Sequence, residues 1–422
     1  MAEEASLAPR RVAAPPKRFV RQQVPDSILN DPRLRAAIAR LPSNYNLEIP
    51  KTVWRIKQAG ARRVALQLPE GLQMFALPLC DILEEFAAVE ECFVLGDVTY
   101  GACCIDDLTA AALGADFLVH YGHSCLVPID VTQVPSLYVF VDIQIDVEHM
   151  IEALKFNFEA GSRLALCGTI QFSSAIHSAR MGVVDFFSEV VVPQAKPLSA
   201  GEVLGCTAPA ISKGSVDAAV FVADGRFHLE AFMIANPGLK VYRYDPYTKA
   251  LSSEEYDQAG MRKARRAAIE QAQRGKSWGV ILGTLGRQGN PQILRHLENR
   301  LAERGVVYKV FLMSEMSPAK IGLLEETIDA WIQIACPRLS IDWGEAYGRP
   351  LLTPYEAEVA LGFTRPWWKR CSPGNEGHLD CSSSCCSCGD KDVLGDYPMD
   401  YYARDGGPWN SVYNRKPTKA RS

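Results

Sequence analysis

The sequence is short of most features that would assign it a role at once. No run approaches the ~18 apolar residues that a helix needs to cross a bilayer. The opening stretch MAEEASLAPRRVAAPPKRFVRQQ has no apolar core of a secretory signal, and Glu3 and Glu4 argue against a transit peptide. It reads as a disordered arm, which points to a cytoplasmic protein. Strong charge is missing too. A net charge of −4 gives no general pull toward nucleic acid or anionic lipid, so neither a membrane nor direct nucleic-acid binding is expected. Histidine is scarce, with 7 in 422 residues, and no Ser-His-Asp triad or carboxylate dyad can be recognised. Conventional acid–base chemistry therefore has no visible carrier.

Cysteine is not scarce. There are 13, and in a reducing compartment they should be thiols, metal ligands or catalytic groups rather than disulfides. Cys80, Cys92, Cys103, Cys104, Cys125, Cys167, Cys206 and Cys336 are spread through the body of the chain, whereas Cys371, Cys381, Cys385, Cys386 and Cys388 crowd the tail.

Between these groups the chain alternates short apolar runs with helical patterns. RVALQL, DFLVHY and SLYVFVD are continuously apolar rather than alternating, as in parallel strands covered on both faces. The order of elements then repeats twice, with first strands near residues 63, 163 and 278. A turn-rich polar motif follows each third strand: YGHS, DGRFH and CPRLS. The expected fold is three related α/β domains with parallel sheets. Their bounds are 46–155, 156–265 and 266–365, preceded by an arm and lead-in helix (1–45) and followed by a Cys-rich, mostly disordered tail (366–422) with a docked piece around YPMDYYARDGGPW. Asp31-Pro32 and Asn290-Pro291 are helix starts, and a polar helix is expected over about 253–274.

Cys103 in GDVTYGACCIDD, Cys206 in LGCT and Cys336 in ACPRLS come one from each unit, in loops at or near the carboxyl ends of strands, where open α/β sheets bind ligands. Units packed about a pseudo-threefold axis would bring three sulfurs together. Structural zinc wants four ligands, whereas a four-iron cluster on three cysteines leaves one iron open to substrate. A cysteine taken alone is as readily a packed core thiol. His120, His123 and His228 sit beside turn motifs as hydrogen-bonding residues rather than ligands, and Cys125 reads as core or supporting. GTLGRQG resembles an anion-binding turn before a helix, though a tight turn also explains it. In the tail, Cys381, Cys385 and Cys388 match the C-x3-C-x2-C of ordinary radical S-adenosylmethionine enzymes, but no strand precedes them.

Nine segments occur in order: QLPEGL, GDVTYGACC, HYGHSC, LGCT, DGRFH, YRYDP, GTLGRQG, ACPRLSIDW and LLTPYE. Together they resemble the catalytic-subunit family of eukaryotic diphthamide synthase over about residues 25–361. The resemblance implies three α/β domains around a central [4Fe–4S] cluster held by Cys103, Cys206 and Cys336, with Cys104 a bystander. It implies transfer of the 3-amino-3-carboxypropyl group of S-adenosylmethionine to C2 of a histidine in elongation factor 2, by a radical route, as the first step toward diphthamide. It also implies a heterodimer with a paralogous second subunit and a small CSL-type metal protein as electron donor. On that reading Gly283, Thr284, Arg287 and Gln288 would hold the carboxylate or ribose of the sulfonium substrate, and no catalytic residue beyond the cluster ligands is needed. Two other readings remain open: a conventional radical enzyme built on the tail motif, and a non-catalytic α/β scaffold subunit.

Overall fold

The computed structural model describes residues 23–96, 104–122, 126–369 and 397–410. Cys103, His123, Cys125 and the five tail cysteines fall outside these described residues.

Three sheets carry the fold. The first contains Arg63–Gln67, Glu91–Val94, Phe117–Tyr121 and Ser136–Val139. The second contains Arg163–Gly168, Glu189–Val191, Ala218–Val222, Val241–Asp245 and Ala250–Glu254, and the third Ser277–Gly283, Val307–Met313, Ala330–Ile334 and Leu351–Leu352. In every sheet the first strand lies between the second and third, and the fourth pairs with the third, all parallel. Each sheet thus has its switch point between first and third strands, the crevice where such folds receive ligands. Among the described residues no helix is long and apolar enough to cross a membrane.

The second sheet is the centre of the packing. Its strand residues alternate between two faces, as a pleated strand requires. Ala165, Cys167, Ala219 and Phe221 join a core shared with the third sheet. Leu164, Leu166, Val220 and Val222 join a core shared with the first. Helices start where capping chemistry places them. Asp31 accepts from the N–H groups of Arg33 and Leu34 before Pro32–Ile38, and Asn290 accepts from Gln292 before Pro291–Glu303. Thr353 and Glu356 form a reciprocal capping box on Pro354–Ala360.

Two expectations are corrected. The polar helix over 253–274 begins later, at Gln258–Ala272, capped by Asp257. The preceding Ala250–Glu254 is a strand, antiparallel to Val241–Asp245, so the second sheet is not purely parallel. Glu254 faces Arg243 at 3.1 Å and also pairs with Arg226, and these cross-strand charges outweigh the helical character of Ser-Ser-Glu-Glu. The strand expected over SLYVFVD also breaks. Only Ser136–Val139 joins the sheet, while Asp142–Ile143 pairs with Tyr45–Asn46.

Helix Gln258–Ala272 reaches the third unit through a buried ion pair. Arg265 donates to both carboxylate oxygens of Glu356, at 2.8 and 2.7 Å, and to the carbonyls of Ser340 and Leu351. Burial works against the guanidinium charge, and the facing carboxylate more than restores it. Removing one partner would strand the other charge inside the protein. Arg265→Met is therefore expected to lower stability by ~3–5 kcal/mol, read as a fall in the urea midpoint. A change under about 1 kcal/mol would mean that the pair behaves as if solvated.

Candidate metal centre and adjoining cavity

Cys206 lies in the loop after the second strand of the second sheet, and Cys336 lies just after the third strand of the third sheet. Both thiols are buried and free. Burial pushes the Cys206 thiol well up from its ordinary value, and the neighbouring sulfurs of Cys336 and Cys104 push it further. All three belong to one buried core. Burial likewise raises Cys336, to about 11, with the N–H of Arg338 pulling the other way. Left alone, both are protonated thiols, and a metal would have to displace their protons.

The supports of these thiols are interlocked. Arg338, two residues beyond Cys336, is fully buried. It pairs with Glu230 at 2.7 Å and Asp342 at 2.8 Å, donates to the Phe227 carbonyl, and stacks over the Phe227 ring at 4.5 Å. That ring also abuts Gly205, where an added Cβ would lie 2.1 Å from it. Phe227 thus sits between the residue before Cys206 and the turn after Cys336. Gln333 donates to the Cys336 carbonyl at 2.8 Å.

Cys104 is held from the first sheet. Gln67, at the end of its first strand, donates to the Cys104 carbonyl at 3.0 Å, and its own oxygen accepts from Asp106 N at 2.9 Å. The same oxygen lies 3.0 Å from His120 Nδ1, so that nitrogen carries the proton. His120 supports this segment, in keeping with the hydrogen-bonding role expected of it.

In GTLGRQG three backbone N–H groups and the Arg287 side chain already have partners. The helix after it begins at Pro291 and is capped by Asn290. Thr284 N is bonded to Met313 O, Gln288 N to Leu285 O and Arg287 N to Ile105 O. The Arg287 guanidinium takes both oxygens of the buried Asp107 at 2.7 Å. Gly286 adopts φ +53, and a Cβ there would lie 2.7 Å from the Ile105 carbonyl oxygen. Gln288 is buried in the same joint, and Gly283 ends the strand beside it. The loop couples the third unit to residues 105–107, directly after the cysteine pair.

A cavity of about 340 Å³ opens at the switch points of the first and second sheets. Pro69, Glu70 and Gly122 line it from the first, and Thr169, Asp224, Phe227 and His228 from the second. Phe227 is its wall toward Cys206. Thr169 is 6% exposed, and its hydroxyl has no partner among the described residues.

Cys206 and Cys336 offer sulfur, the donor that iron–sulfur clusters take. Among the described residues no group of three or more His, Cys, Asp or Glu is placed to hold a metal ion. A multi-iron cluster spans a wider gap between thiolates than one ion does, and cysteine is its usual ligand.

The family model of diphthamide synthesis proteins matches residues 68–372. The chain belongs to that family. It is 53% identical over 402 residues to 2-(3-amino-3-carboxypropyl)histidine synthase subunit 1 of Gallus gallus, covering 95% of this chain and 91% of the relative. Its identity to the subunit 1 of Homo sapiens is also 53%, covering 95% and 86%. Dph2 from Pyrococcus horikoshii matches with a TM-score of 0.62 and 28% identity, over 76% of this chain and 92% of that one. A second structure of that protein, with the same match, carries a 4Fe-4S cluster.

Sequence reasoning missed Gln67, Thr169, Phe227 and Arg338. Arg338 and Asp342 carry a visible i, i+4 signal, and Gln67 is polar at the end of an apolar strand. Nothing in the sequence marks Thr169 or pairs Asp107 with Arg287.

Burial alone would raise the Asp107 carboxyl, but Arg287 and the Gln133 N–H outweigh it and hold it below its ordinary 3.8. The pair's contribution is therefore complete above 3.8 and is lost as pH falls through the lower folded value. Asp107→Asn is expected to cost ~2 kcal/mol at neutral pH, measured by urea unfolding. The gap to the parent chain should close as pH drops below 3.8, and a gap that persists at low pH would contradict the assignment.

Proposed function

We propose that this chain transfers the 3-amino-3-carboxypropyl group of S-adenosylmethionine to C2 of a histidine in elongation factor 2. The observation that carries this is that two buried thiols, from different sheets, share one core, with Phe227 packed between the Cys206 loop and a cavity formed by two switch points. Cys206 and Cys336 would hold a [4Fe–4S] cluster, with Cys103 as the third ligand by family pattern. When bound, the cluster supplies the single electron that opens the sulfonium between sulfur and the γ-carbon.

The residues of this chain supply position and exclusion. Phe227 separates the cavity from the Cys206 loop and is itself clamped by Arg338. Thr169 lines the cavity, and its buried hydroxyl is an unused hydrogen-bonding group that a carboxylate or ribose could take up on binding. Glu70 and Asp224 offer negative charge to the substrate's ammonium and sulfonium. Arg287, committed to Asp107, acts at the unit joint instead of on substrate. This division of labour needs no proton-transfer pair. Turnover would use a paralogous second subunit, elongation factor 2 as protein substrate and a CSL-type protein as electron donor, all in the cytoplasm.

The test is an anaerobic assay with the second subunit, elongation factor 2 and carboxyl-labelled S-adenosylmethionine. Label should appear on elongation factor 2 with release of 5′-methylthioadenosine, and Cys206→Ala and Cys336→Ala should abolish both. Release of 5′-deoxyadenosine, or transfer undiminished in either variant, would overturn the proposal.

A further inference from the structure

The last described segment, residues 397–410, lies beyond the family match and has no regular helix or strand. It nevertheless buries Tyr397, Met399, Tyr401, Tyr402 and Trp409. Its backbone is bonded directly to the Cys206 loop. Asp400 pairs with Thr207 as an isolated antiparallel bridge. Ala208 N donates to Met399 O at 2.9 Å, and Tyr401 N donates to the carbonyl of Cys206 itself at 3.3 Å. Tyr402 N donates to Thr207 Oγ1 at 3.0 Å. The Tyr402 hydroxyl then lies 3.5 Å from the Cys104 sulfur.

The segment is fastened at both ends. Tyr397 donates to Glu356 at 2.8 Å, joining the carboxylate that Arg265 holds, and Arg265 in turn binds the carbonyl of Ser340 in the helix after Cys336. Trp409 donates to Asp400 at 2.8 Å and packs on Tyr355 at 4.7 Å, while Tyr397 packs on Trp367 at 5.1 Å. One segment therefore touches the Cys206 loop, the Cys104 thiol and the network behind Cys336.

We propose that residues 397–410 are a positioning strap for the cysteine site: they hold the Cys206 loop closed and fix Cys104 through Tyr402. Iron retention therefore depends on a segment that follows the family-model match. Only the iron readout of this proposal rests on the function proposed above. The strap supplies bonds that the loop's own sheet does not, since Cys206 O and Ala208 N are satisfied from it. An unfastened strap leaves a Gly-Cys-Thr loop free to open locally.

The test uses the full-length, iron-free chain under anaerobic conditions, alkylated with N-ethylmaleimide and read cysteine by cysteine by peptide mass spectrometry. In Tyr397→Ala/Trp409→Ala, Cys206 should react at least about tenfold faster, a local opening cheaper by one factor of ten. Cys167, fully buried in the second sheet, should stay unreactive and so reports that the fold is intact. Tyr402→Phe should speed Cys104 several-fold and leave Cys206 unchanged. After reconstitution with ferrous iron and sulfide, the double variant should retain several-fold less iron than wild type. A Cys206 rate within about twofold of wild type overturns the strap, and a faster rate with undiminished iron overturns its role toward the metal. An unchanged Cys104 rate in Tyr402→Phe overturns the role given to Tyr402. If Cys167 also becomes reactive, the milder Asp400→Asn decides by the same comparison. A wild-type chain that takes up no iron counts against the proposed function, and the alkylation rates still decide the strap.

Discussion

Two thiols on different sheets can face one another only if those sheets are fixed relative to each other. Everything around Cys206 and Cys336 serves that constraint. Neither cysteine lies in a strand interior where ladder hydrogen bonds would hold it. Both are in turns, which are the most mobile parts of an α/β unit. Rigidity therefore has to come across the unit boundaries, and it does so as buried charge and aromatic packing. Arg338 reaches from the turn after Cys336 to Glu230 and Phe227 of the second unit. Arg265 reaches from the second unit to Glu356 of the third, and Arg287 from the third to Asp107 of the first. Of these three arginines, two join the second and third units and one joins the third to the first. Such pairs are costly to bury and costly to break. They hold one relative placement of the units and penalise others.

The cavity follows from the same geometry. A single switch point is an open crevice, but two facing each other enclose a volume. Phe227 is at once cavity wall, cation–π partner of Arg338 and neighbour of Gly205, so the turns that carry Cys206 and Cys336 pack on one ring that lines the cavity. This coupling suits chemistry in which the choice of bond to break depends on orientation rather than on a catalytic acid or base.

Much of the scaffold was legible in the sequence because it obeys local rules. Continuous apolar runs marked the parallel strands, Asp31-Pro32 and Asn290-Pro291 marked helix starts, and the repeated element order anticipated three sheets that share one strand order. The placement of cysteines at or near strand ends put Cys103, Cys206 and Cys336 forward as candidates. What was not legible depends on partners far along the chain. Arg287 looked like a ligand-binding arginine in a glycine-rich turn because nothing local reveals Asp107, which lies across a unit boundary. Ala250–Glu254 looked helical because its cross-strand arginines belong to other segments. Tyr402 lies in YPMDYYARDGGPW, a segment expected to dock, but nothing local pairs it with Cys104, which is distant in sequence. Long-range pairing of polar groups leaves no periodicity to read.

The account turns on where iron binds. The most direct measurement is anomalous scattering at the iron edge from anaerobically grown crystals of the reconstituted chain. It predicts one compact iron site with Fe–S bonds to both Cys206 and Cys336, behind the Phe227 wall. Iron bound by the tail cysteines instead, with Cys206 and Cys336 left as free thiols, would contradict it.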